Sequence, residues 1–267
     1  MSLTNLITPA ALADRLDDPA LLILDCRFDL AQPDWGQTQY QTSHIPGAFY
    51  LDLNRDLSGP VTAQSGRHPL PDVNTLTSKL NQMGLTATTH VIAYDQGRLP
   101  YAARLWWLLR YLGHPRISLL AGGWEAYVQA GYPVSHALPT PRPGDFTPHV
   151  QNQYIASRAE VVAAPNNPDV LLVDAREPRR YRGEWEPIDP VAGHIPGAVN
   201  LPWTELLPPQ PYRERWHALN TPPREVICYC GSGVTACVNL LTLEWAGYAP
   251  GRLYVGGWSE WCRHPQP

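Results

Sequence analysis

The sequence lacks the features that mark membrane and nucleic-acid-binding proteins most directly. No apolar run approaches the roughly 20 residues that a membrane-spanning helix needs. No block of about five or six like charges occurs, and 20 basic against 24 acidic side chains leave a net charge of −4. The first residues also lack a basic region followed by an apolar one. We therefore expect a soluble, unexported, cytoplasmic protein that binds neither nucleic acid nor membrane.

Cysteine is scarce. A chain of 267 residues can bury a core without disulfides, and this one has an odd number of cysteines spread thinly along it: Cys26, Cys228, Cys230, Cys237 and Cys262. Free thiols in a reducing compartment are therefore expected.

Proline is abundant instead, and the prolines cluster between Pro139 and Pro148. Such a cluster favours a linker.

Three landmarks occur twice in the same order, on either side of the proline cluster. The first set is "LLILDCR", "SHIPGA" and "LLAGGWEAY", beginning at Leu21, Ser43 and Leu119. The second set is "VLLVDAR", "GHIPGA" and "LYVGGWSEW", beginning at Val170, Gly193 and Leu253. Repetition of this kind indicates a duplicated domain. We predict a first domain over residues 1–138, a linker over 139–152 and a second domain over 153–267.

Each copy alternates short apolar runs with segments of helical length. In the second copy, residues 170–173 and 225–229 are rich in β-branched and aliphatic side chains, as buried strands are. Residues 235–246 have helical spacing and end in "AGY", which supplies a glycine stop. The alternation predicts an α/β fold with a mostly parallel sheet flanked by helices. Ligands of such sheets bind beyond the carboxyl ends of the strands, which is where Cys230 lies.

The segment "CGSGVT" over residues 230–235 connects a predicted strand to a predicted helix. Gly231 and Gly233 allow the backbone to curl with its amides pointing inward, which makes an anion-binding loop. Such a loop at the positive end of a helix favours a thiolate, and a thiolate is a nucleophile. Ser232 and Thr235 add hydroxyl donors. The pattern therefore predicts a nucleophilic Cys230.

Three rival roles for this cysteine fit the neighbouring residues less well. A cysteine that only fills the core does not require two glycines and two hydroxyls beside it. A cysteine phosphatase needs an arginine six residues after the nucleophile, where this chain has Ala236. Cys228, Cys230 and Cys237 lack the usual spacing of zinc ligands, and Cys237 is predicted to lie in the core.

The corresponding loop of the first copy has Asp95 in place of the cysteine, so the first domain is predicted to be non-catalytic.

Taken together, the paired "HIPGA" and "GGW" motifs, the loop "CGSGVTA" and the ending "SEW" resemble a two-domain sulfurtransferase of the rhodanese superfamily. The loop is similar to that of the 3-mercaptopyruvate-specific members, whereas thiosulfate-preferring members have basic side chains at the positions of Gly231 and Ser232. The resemblance implies two tandem rhodanese-like domains and a persulfide formed on Cys230. It further implies a small-molecule sulfur donor, a thiol, cyanide or thioredoxin-like acceptor, and no metal or organic cofactor.

The resemblance also assigns roles to individual residues. Ser232 pairs with the nucleophile and stabilises developing charge, while Arg180 or Arg182 holds the anionic end of the donor. His68 reaches the site and passes a proton, with Asp56 or Asp52 as its orienting carboxylate. The catalytic loop as a whole is Cys230, Gly231, Ser232, Gly233, Val234 and Thr235.

One departure leaves the donor open. The mercaptopyruvate enzymes have a second arginine shortly after the first, but the segment "EWEPIDPVAGH" over residues 184–194 has none. Arg98 or Arg104 are candidates to replace it. Thiosulfate therefore remains the alternative donor, and a non-catalytic protein-binding module is a further alternative. A third is a thiol oxidoreductase that pairs Cys230 with Cys228 or Cys237.

Several repeated residues are predicted to serve the fold rather than the chemistry, because both copies have them and only one copy has the nucleophile. This set consists of Asp25, Arg27, His44, Asp174, Arg176 and His194. Trp106 and Trp107 are predicted to lie in the core.

Overall fold

A computed structural model describes residues 6–207, 211–219 and 225–264. The outer ends of the two predicted domains, residues 1–5 and 265–267, lie outside these ranges. The chain forms two compact units. Unit 1 runs up to Gly59 and continues over Pro71–Gln151, whereas unit 2 combines Pro60–Leu70 with the chain from Asn152 onward. A short segment from the first half of the sequence thus belongs to the second unit.

Unit 1 contains a five-stranded sheet in which every pairing is parallel. Its strand order is β1-β5-β4-β2-β3. The strands are β1 (Leu6–Ile7), β2 (Leu21–Asp25), β3 (Phe49–Tyr50), β4 (His90–Tyr94) and β5 (Ile117–Leu120). The helices are α1 (Pro9–Ala13), α2 (Trp35–Thr42), α3 (Val73–Gln82), α4 (Pro100–Tyr111) and α5 (Gly123–Gln129). Every residue of β2 is buried, as expected for a central strand with both faces covered.

Unit 2 repeats this plan with a four-stranded parallel sheet in the order β7-β6-β8-β9. Its strands are β6 (Val170–Asp174), β7 (Val199–Asn200), β8 (Glu225–Tyr229) and β9 (Arg252–Leu253). Its helices are α6 (Arg158–Ala163), α7 (Pro178–Tyr181), α8 (Tyr212–His217), α9 (Ala236–Trp245) and α10 (Gly257–Trp261). The predicted α/β class with parallel sheets is confirmed.

The bounds of β8 and α9, the two elements on either side of Cys230, agree closely with those predicted from the sequence. Strand β8 ends at Tyr229 as predicted, and α9 begins at Ala236, one residue after the predicted start. Thr235 precedes the helix with helical dihedral angles and forms no side-chain cap. Residues 230–235 therefore form the connection between the carboxyl end of a buried strand and the amino terminus of a buried helix.

Helix α4 is apolar nearly all round, and both Trp106 and Trp107 are buried in it, as predicted for core residues. It is nevertheless a helix of only 12 residues. Within the ranges that the structure describes, no helix combines the length and the apolarity needed to cross a membrane.

The proline-rich segment predicted as a linker lies along unit 1. The amide of Gly144 donates to Asn81, and the amides of His149 and Gln151 donate to Leu112 and Tyr111. A side chain at position 144 would meet the Leu85 carbonyl oxygen at 2.1 Å, so only glycine allows this approach. The predicted domain boundaries stay a prediction, with the compact unit extending to Gln151.

A capping box at the start of α6, in unit 2, is expected to make the stability of the fold depend on pH. The Glu160 side chain accepts from the amide and hydroxyl of Ser157 and from Arg252. The Ser157 hydroxyl and amide, followed by Arg252, lower the pKa of Glu160 from 4.5 to about 2. Because the folded state lowers this pKa, the stabilisation is present above pH 4.5 and is lost as the pH falls towards about 2.

We expect Glu160→Gln to reduce the free energy of unfolding at pH 7 and to have little effect near the lower limit of this pH window. Urea denaturation at several pH values measures the difference. Glu214→Gln is the matched control, since Glu214 lies in the first turn of α8, where no side-chain cap is formed. A destabilisation by Glu160→Gln that is independent of pH would contradict the assignment.

Candidate active site

Cys230 lies directly after β8 and is buried, with 2% of its surface exposed. Its carbonyl oxygen accepts from the amide of Trp258 at 2.8 Å, and the carbonyl of Gly231 accepts from the amide of Ser259 at 2.9 Å. A side chain at Gly257 would meet the Cys230 carbonyl oxygen at 2.6 Å. The "GGW" segment therefore packs against the cysteine loop and forms hydrogen bonds with its backbone. Gly257, the second glycine of the motif, permits this close approach of the two segments.

The rest of the predicted catalytic loop is almost as well enclosed. Ser232 and Val234 are buried, and Gly233 has a φ of +76°, a left-handed conformation that favours glycine. The helical hydrogen bonds begin with the amides of Cys237 and Val238, which donate to Val234 and Thr235. The amides of the loop before Cys237 therefore take no part in the helical hydrogen bonds and lie at the positive end of the helix dipole.

In the equivalent loop of unit 1, backbone amides donate hydrogen bonds to a carboxylate. Asp95 follows β4, and its carbonyl accepts from the amide of Trp124 just as Cys230 accepts from Trp258. Its buried carboxylate accepts from four backbone amides, those of Gly97, Leu99, Tyr101 and Ala102. Burial raises the pKa of Asp95, while the amides act in the opposite direction. Unit 1 therefore fills its own anion-binding loop with a carboxylate, where unit 2 has the thiol of Cys230.

His68 and Ser232 meet in unit 2, although 164 positions separate them in the sequence. Their Nδ1 and Oγ atoms lie 2.7 Å apart, and both residues are buried. His68 belongs to the segment Pro60–Leu70. The structure thus brings the predicted histidine to the predicted serine, one residue beyond the Gly231 neighbour of the nucleophile.

Arg180, on α7, is buried in an acidic environment. Its guanidinium donates through Nε and Nη2 to the two carboxylate oxygens of Glu186, at 3.0 and 2.8 Å. Nη2 also lies 3.3 Å from Asp189 Oδ2. Burial by itself would raise the pKa of Glu186, but hydrogen bonds from Arg180 and from the Asp189 and Ile188 amides lower it. Arg180 is therefore held rigidly beside the loop.

Arg182 has a different setting. It is exposed and forms an ion pair with Glu184, its own neighbour on the surface. Of the two residues predicted to bind the donor, Arg180 is the one beside Gly231, and its role in donor binding stays a prediction.

Arg67, which directly precedes His68, was not among the residues predicted from the sequence. It forms an ion pair with Asp189 across 122 sequence positions. A Cβ atom at Gly231 would lie 2.7 Å from Arg67 Nη2 and 3.4 Å from Arg180 Nη2. Two guanidinium groups therefore converge on the residue after the nucleophile. The motif "GRHPLP" contained Arg67, but nothing local in the sequence indicates its distant partners.

The remaining cysteines, which all lie within the described ranges, do not form a metal or disulfide centre. All five cysteines are free, and burial raises the pKa of Cys228 well above its ordinary value. The Cys237 thiol donates to the Gly233 carbonyl oxygen at 3.4 Å, as a core helix residue would. Within the part of the chain that the structure describes, no three His, Cys, Asp or Glu side chains could share a metal ion.

The repeated Asp, Arg and His residues form the same contacts in both units. Arg176 donates to the Asp174 carboxylate and to the Gly193 carbonyl, and Arg27 does the same with Asp25 and Ser43. In the "HIPGA" motifs, the Nδ1 atoms donate to the backbone carbonyls of residues 40 and 181: His44 to Tyr40 and His194 to Tyr181. The arginine contacts connect strand ends to loops, and the histidine contacts connect the "HIPGA" segments to helices α2 and α7, in agreement with a structural role.

Four further candidates lie in unit 1. Asp52 forms an ion pair with Arg55, and Asp56 forms one with Lys79. Arg104 is fully buried and donates to the Leu57 carbonyl oxygen, whereas Arg98 is exposed. Their predicted contributions to His68 or to the donor stay predictions.

Comparison with known proteins places this geometry in a family. The model of the rhodanese-like domain matches the chain twice, over residues 8–130 and 157–264. A Pseudomonas aeruginosa protein named "Probable 3-mercaptopyruvate sulfurtransferase" is 46% identical, covering 100% of this chain and 98% of that protein. A Mycobacterium tuberculosis protein named as a candidate thiosulfate sulfurtransferase, SseB, is 36% identical over 97% of this chain and 94% of its own.

Among solved structures, SseA from Escherichia coli, described as a 3-mercaptopyruvate sulfotransferase, superposes with a TM-score of 0.84. It is 30% identical, and the match covers 96% of this chain and 99% of SseA. The duplicated parallel sheets, the two family matches and the relatives of nearly equal length agree with one another. The chain therefore belongs to the rhodanese-like family, as a protein of two tandem rhodanese-like domains.

Proposed function

We propose that the protein is a sulfurtransferase that moves a sulfane sulfur from 3-mercaptopyruvate to a thiol or cyanide through a persulfide on Cys230. The observation that carries the proposal is the position of this thiol. Cys230 begins the loop of unit 2 that is equivalent to the Asp95 loop of unit 1. In unit 1, four backbone amides of that loop donate to the Asp95 carboxylate. A sulfur in such a loop is stabilised as an anion both before and after it accepts a second sulfur.

In the first half-reaction the Cys230 thiolate attacks the sulfur atom of the donor. A sulfur–sulfur bond forms and the carbon–sulfur bond breaks, with its electron pair moving onto the carbon as the enolate of pyruvate. The enolate takes up a proton and leaves as pyruvate. The donor's thiol proton is released, and Cys230 carries a persulfide anion.

In the second half-reaction an acceptor thiolate or cyanide attacks the outer sulfur of the persulfide. The sulfur–sulfur bond breaks and its electron pair returns to Cys230 as the thiolate, so the enzyme is regenerated without a cofactor. The acceptor leaves as a persulfide or as thiocyanate. A thioredoxin-like acceptor and a cytoplasmic location are compatible with this chemistry and stay predictions.

Ser232 and His68 are assigned to the charge that develops on the donor. With Nδ1 and Oγ 2.7 Å apart, the two side chains can exchange a proton between them. The Ser232 hydroxyl then donates to the carbonyl oxygen of the donor as the enolate forms. Arg180 is assigned to the carboxylate of the donor, for which a guanidinium group is the best-matched partner.

Mass spectrometry of the intact protein tests the proposal. After incubation with 3-mercaptopyruvate, we expect a mass increase of about one sulfur atom, located on the peptide that contains Cys230. The increase should disappear when cyanide is added. A non-catalytic binding module would show no increase, and a thiol oxidoreductase would show a disulfide instead.

The donor is tested by comparing kcat/KM for 3-mercaptopyruvate and thiosulfate. The absence of a basic side chain at Gly231 and Ser232 favours the α-keto acid, and we expect its kcat/KM to be larger. A wide margin in favour of thiosulfate would instead assign the protein to the alternative activity, for which the mycobacterial relative is named.

A further inference from the structure

We propose that Ser259 is a positioning residue that holds the Ser232 hydroxyl against the His68 imidazole. This inference deepens the proposed function and rests on it. Ser259 lies in the first turn of α10, in the "SEW" motif, and 0% of its surface is exposed. The 2.7 Å contact between His68 Nδ1 and Ser232 Oγ joins two segments that are far apart in the sequence. The contact therefore requires that other residues hold both segments in place.

Ser259 forms a hydrogen bond with the residue before each member of this pair. Its amide donates to the carbonyl oxygen of Gly231 at 2.9 Å, and Gly231 directly precedes Ser232. Its hydroxyl accepts from the amide of Arg67 at 3.1 Å, and Arg67 directly precedes His68. Because consecutive Cα atoms are held about 3.8 Å apart, hydrogen bonds at these two positions restrict where the next residues lie. One buried residue therefore sets the spacing of both partners.

The segment that contains His68 depends on such contacts for its position. None of residues 60–70, all of which the structure describes, lies in a helix or a strand, and residues 61–64 are exposed. The segment becomes buried at Gly66, where a Cβ atom would lie 2.8 Å from Ser259 Oγ and 2.3 Å from the Gly256 carbonyl oxygen. The Ser259 hydroxyl also donates to that carbonyl at 3.0 Å, which fixes its direction. Ser259 therefore anchors the segment at the point where it enters the interior of unit 2.

The duplicated domain provides an internal comparison for Ser259. In unit 1, Glu125 follows "GGW" as Ser259 does in unit 2. The Glu125 amide donates to the Gln96 carbonyl oxygen at 3.0 Å, just as the Ser259 amide donates to Gly231. Glu125 is exposed, however, whereas Ser259 is buried. The backbone contact is therefore common to both units and serves the fold, while the hydroxyl contact belongs to unit 2, which has the nucleophile.

Nuclear magnetic resonance of the full chain, with isotope-labelled histidine nitrogens, tests the contact without sulfur transfer. His68→Gln identifies the His68 signals, and Ser232→Ala shows how the Nδ1 signal changes when its partner is removed. We expect Ser259→Ala to shift the His68 Nδ1 signal in the same direction as Ser232→Ala does, because the Arg67 amide loses its acceptor and the segment moves. Gly66→Ala should act likewise, since its Cβ atom displaces the same segment while the Ser259 hydroxyl is kept.

Steady-state kinetics separate positioning from a general loss of structure. We expect Ser259→Ala to lower kcat with 3-mercaptopyruvate by about tenfold, because proton transfer depends on the alignment of the two groups. In a Ser232→Ala background, the same substitution should change kcat by less than about twofold, since the pair is already absent. Ser157→Ala is the matched control in unit 2. Its hydroxyl also accepts from a backbone amide, that of Glu160, and its removal should leave kcat and the His68 signal unchanged.

Either of two results would overturn the positioning role and leave Ser259 as a structural residue of the core. One is an unchanged His68 Nδ1 signal in Ser259→Ala, and the other is a loss of kcat that is equally large with and without Ser232→Ala. A shifted signal in a protein that transfers no sulfur from either donor would support the positioning role and refute the proposed function.

Discussion

Cys230→Ser is expected to reduce sulfur transfer from both 3-mercaptopyruvate and thiosulfate by about a thousandfold or more. Serine has nearly the same shape, so the loop and its contacts to Trp258 and Ser259 should persist. A serine hydroxyl is not ionised at neutral pH, however, and cannot form a persulfide. The measurement is turnover with each donor, with thiocyanate formed from cyanide as the product.

Cys237→Ser is the matched control for that experiment. Cys237 lies on α9 and donates to the Gly233 carbonyl, a contact that a serine hydroxyl also makes. We expect this variant to retain activity, and its retention would exclude a mechanism in which Cys230 and Cys237 form a disulfide. Sulfur transfer by Cys230→Ser at the rate of Cys237→Ser would refute the persulfide mechanism.

Asp95→Ala is expected to lower the free energy of unfolding by about 3 kcal/mol or more, because four buried amide donors lose their acceptor. Asp95 is fully buried after β4, and water has no ready access to replace its carboxylate. Urea denaturation monitored by tryptophan fluorescence measures the change.

Asp29→Ala provides the comparison for Asp95. The Asp29 carboxylate also accepts from two backbone amides, those of Ala31 and Gln32, but at the surface. Water can replace it there, so we expect a loss below about 1 kcal/mol. Equal effects of the two substitutions would show that the amides around Asp95 are satisfied in another way.

The order of strands and helices could be predicted because the signals are local. The runs "VLLVD" and "EVICY" are mostly apolar on both faces, as expected for central strands of a covered parallel sheet. The change from strand to helix is marked by two glycines and two hydroxyl residues within residues 230–235. Cys230 could therefore be located at the carboxyl end of a strand from the sequence alone.

The family resemblance assigns separate roles to Ser232 and His68, and only the tertiary structure shows that their side chains are in contact. No pattern in "GRHPLP" indicates that Pro60–Leu70 belongs to the second unit, since its contacts are made to residues more than a hundred positions away. The choice between Arg180 and Arg182 also depended on the structure. The two residues are neighbours in sequence, yet one is buried against Glu186 and the other is exposed.

The sequence by itself determined the duplication and the parallel α/β architecture, and it predicted Cys230 as the nucleophile, because each follows from hydrophobic period, turn residues and repeated motifs within a short stretch of chain. Only the tertiary structure decided which charges surround that nucleophile. Arg67 comes from a segment more than a hundred positions before Arg180 and Asp189, and it meets them beside Gly231 through its ion pair with Asp189 and its amide hydrogen bond to Ser259. Electrostatic contacts of this kind depend on distances between atoms, which a linear pattern of residues does not contain.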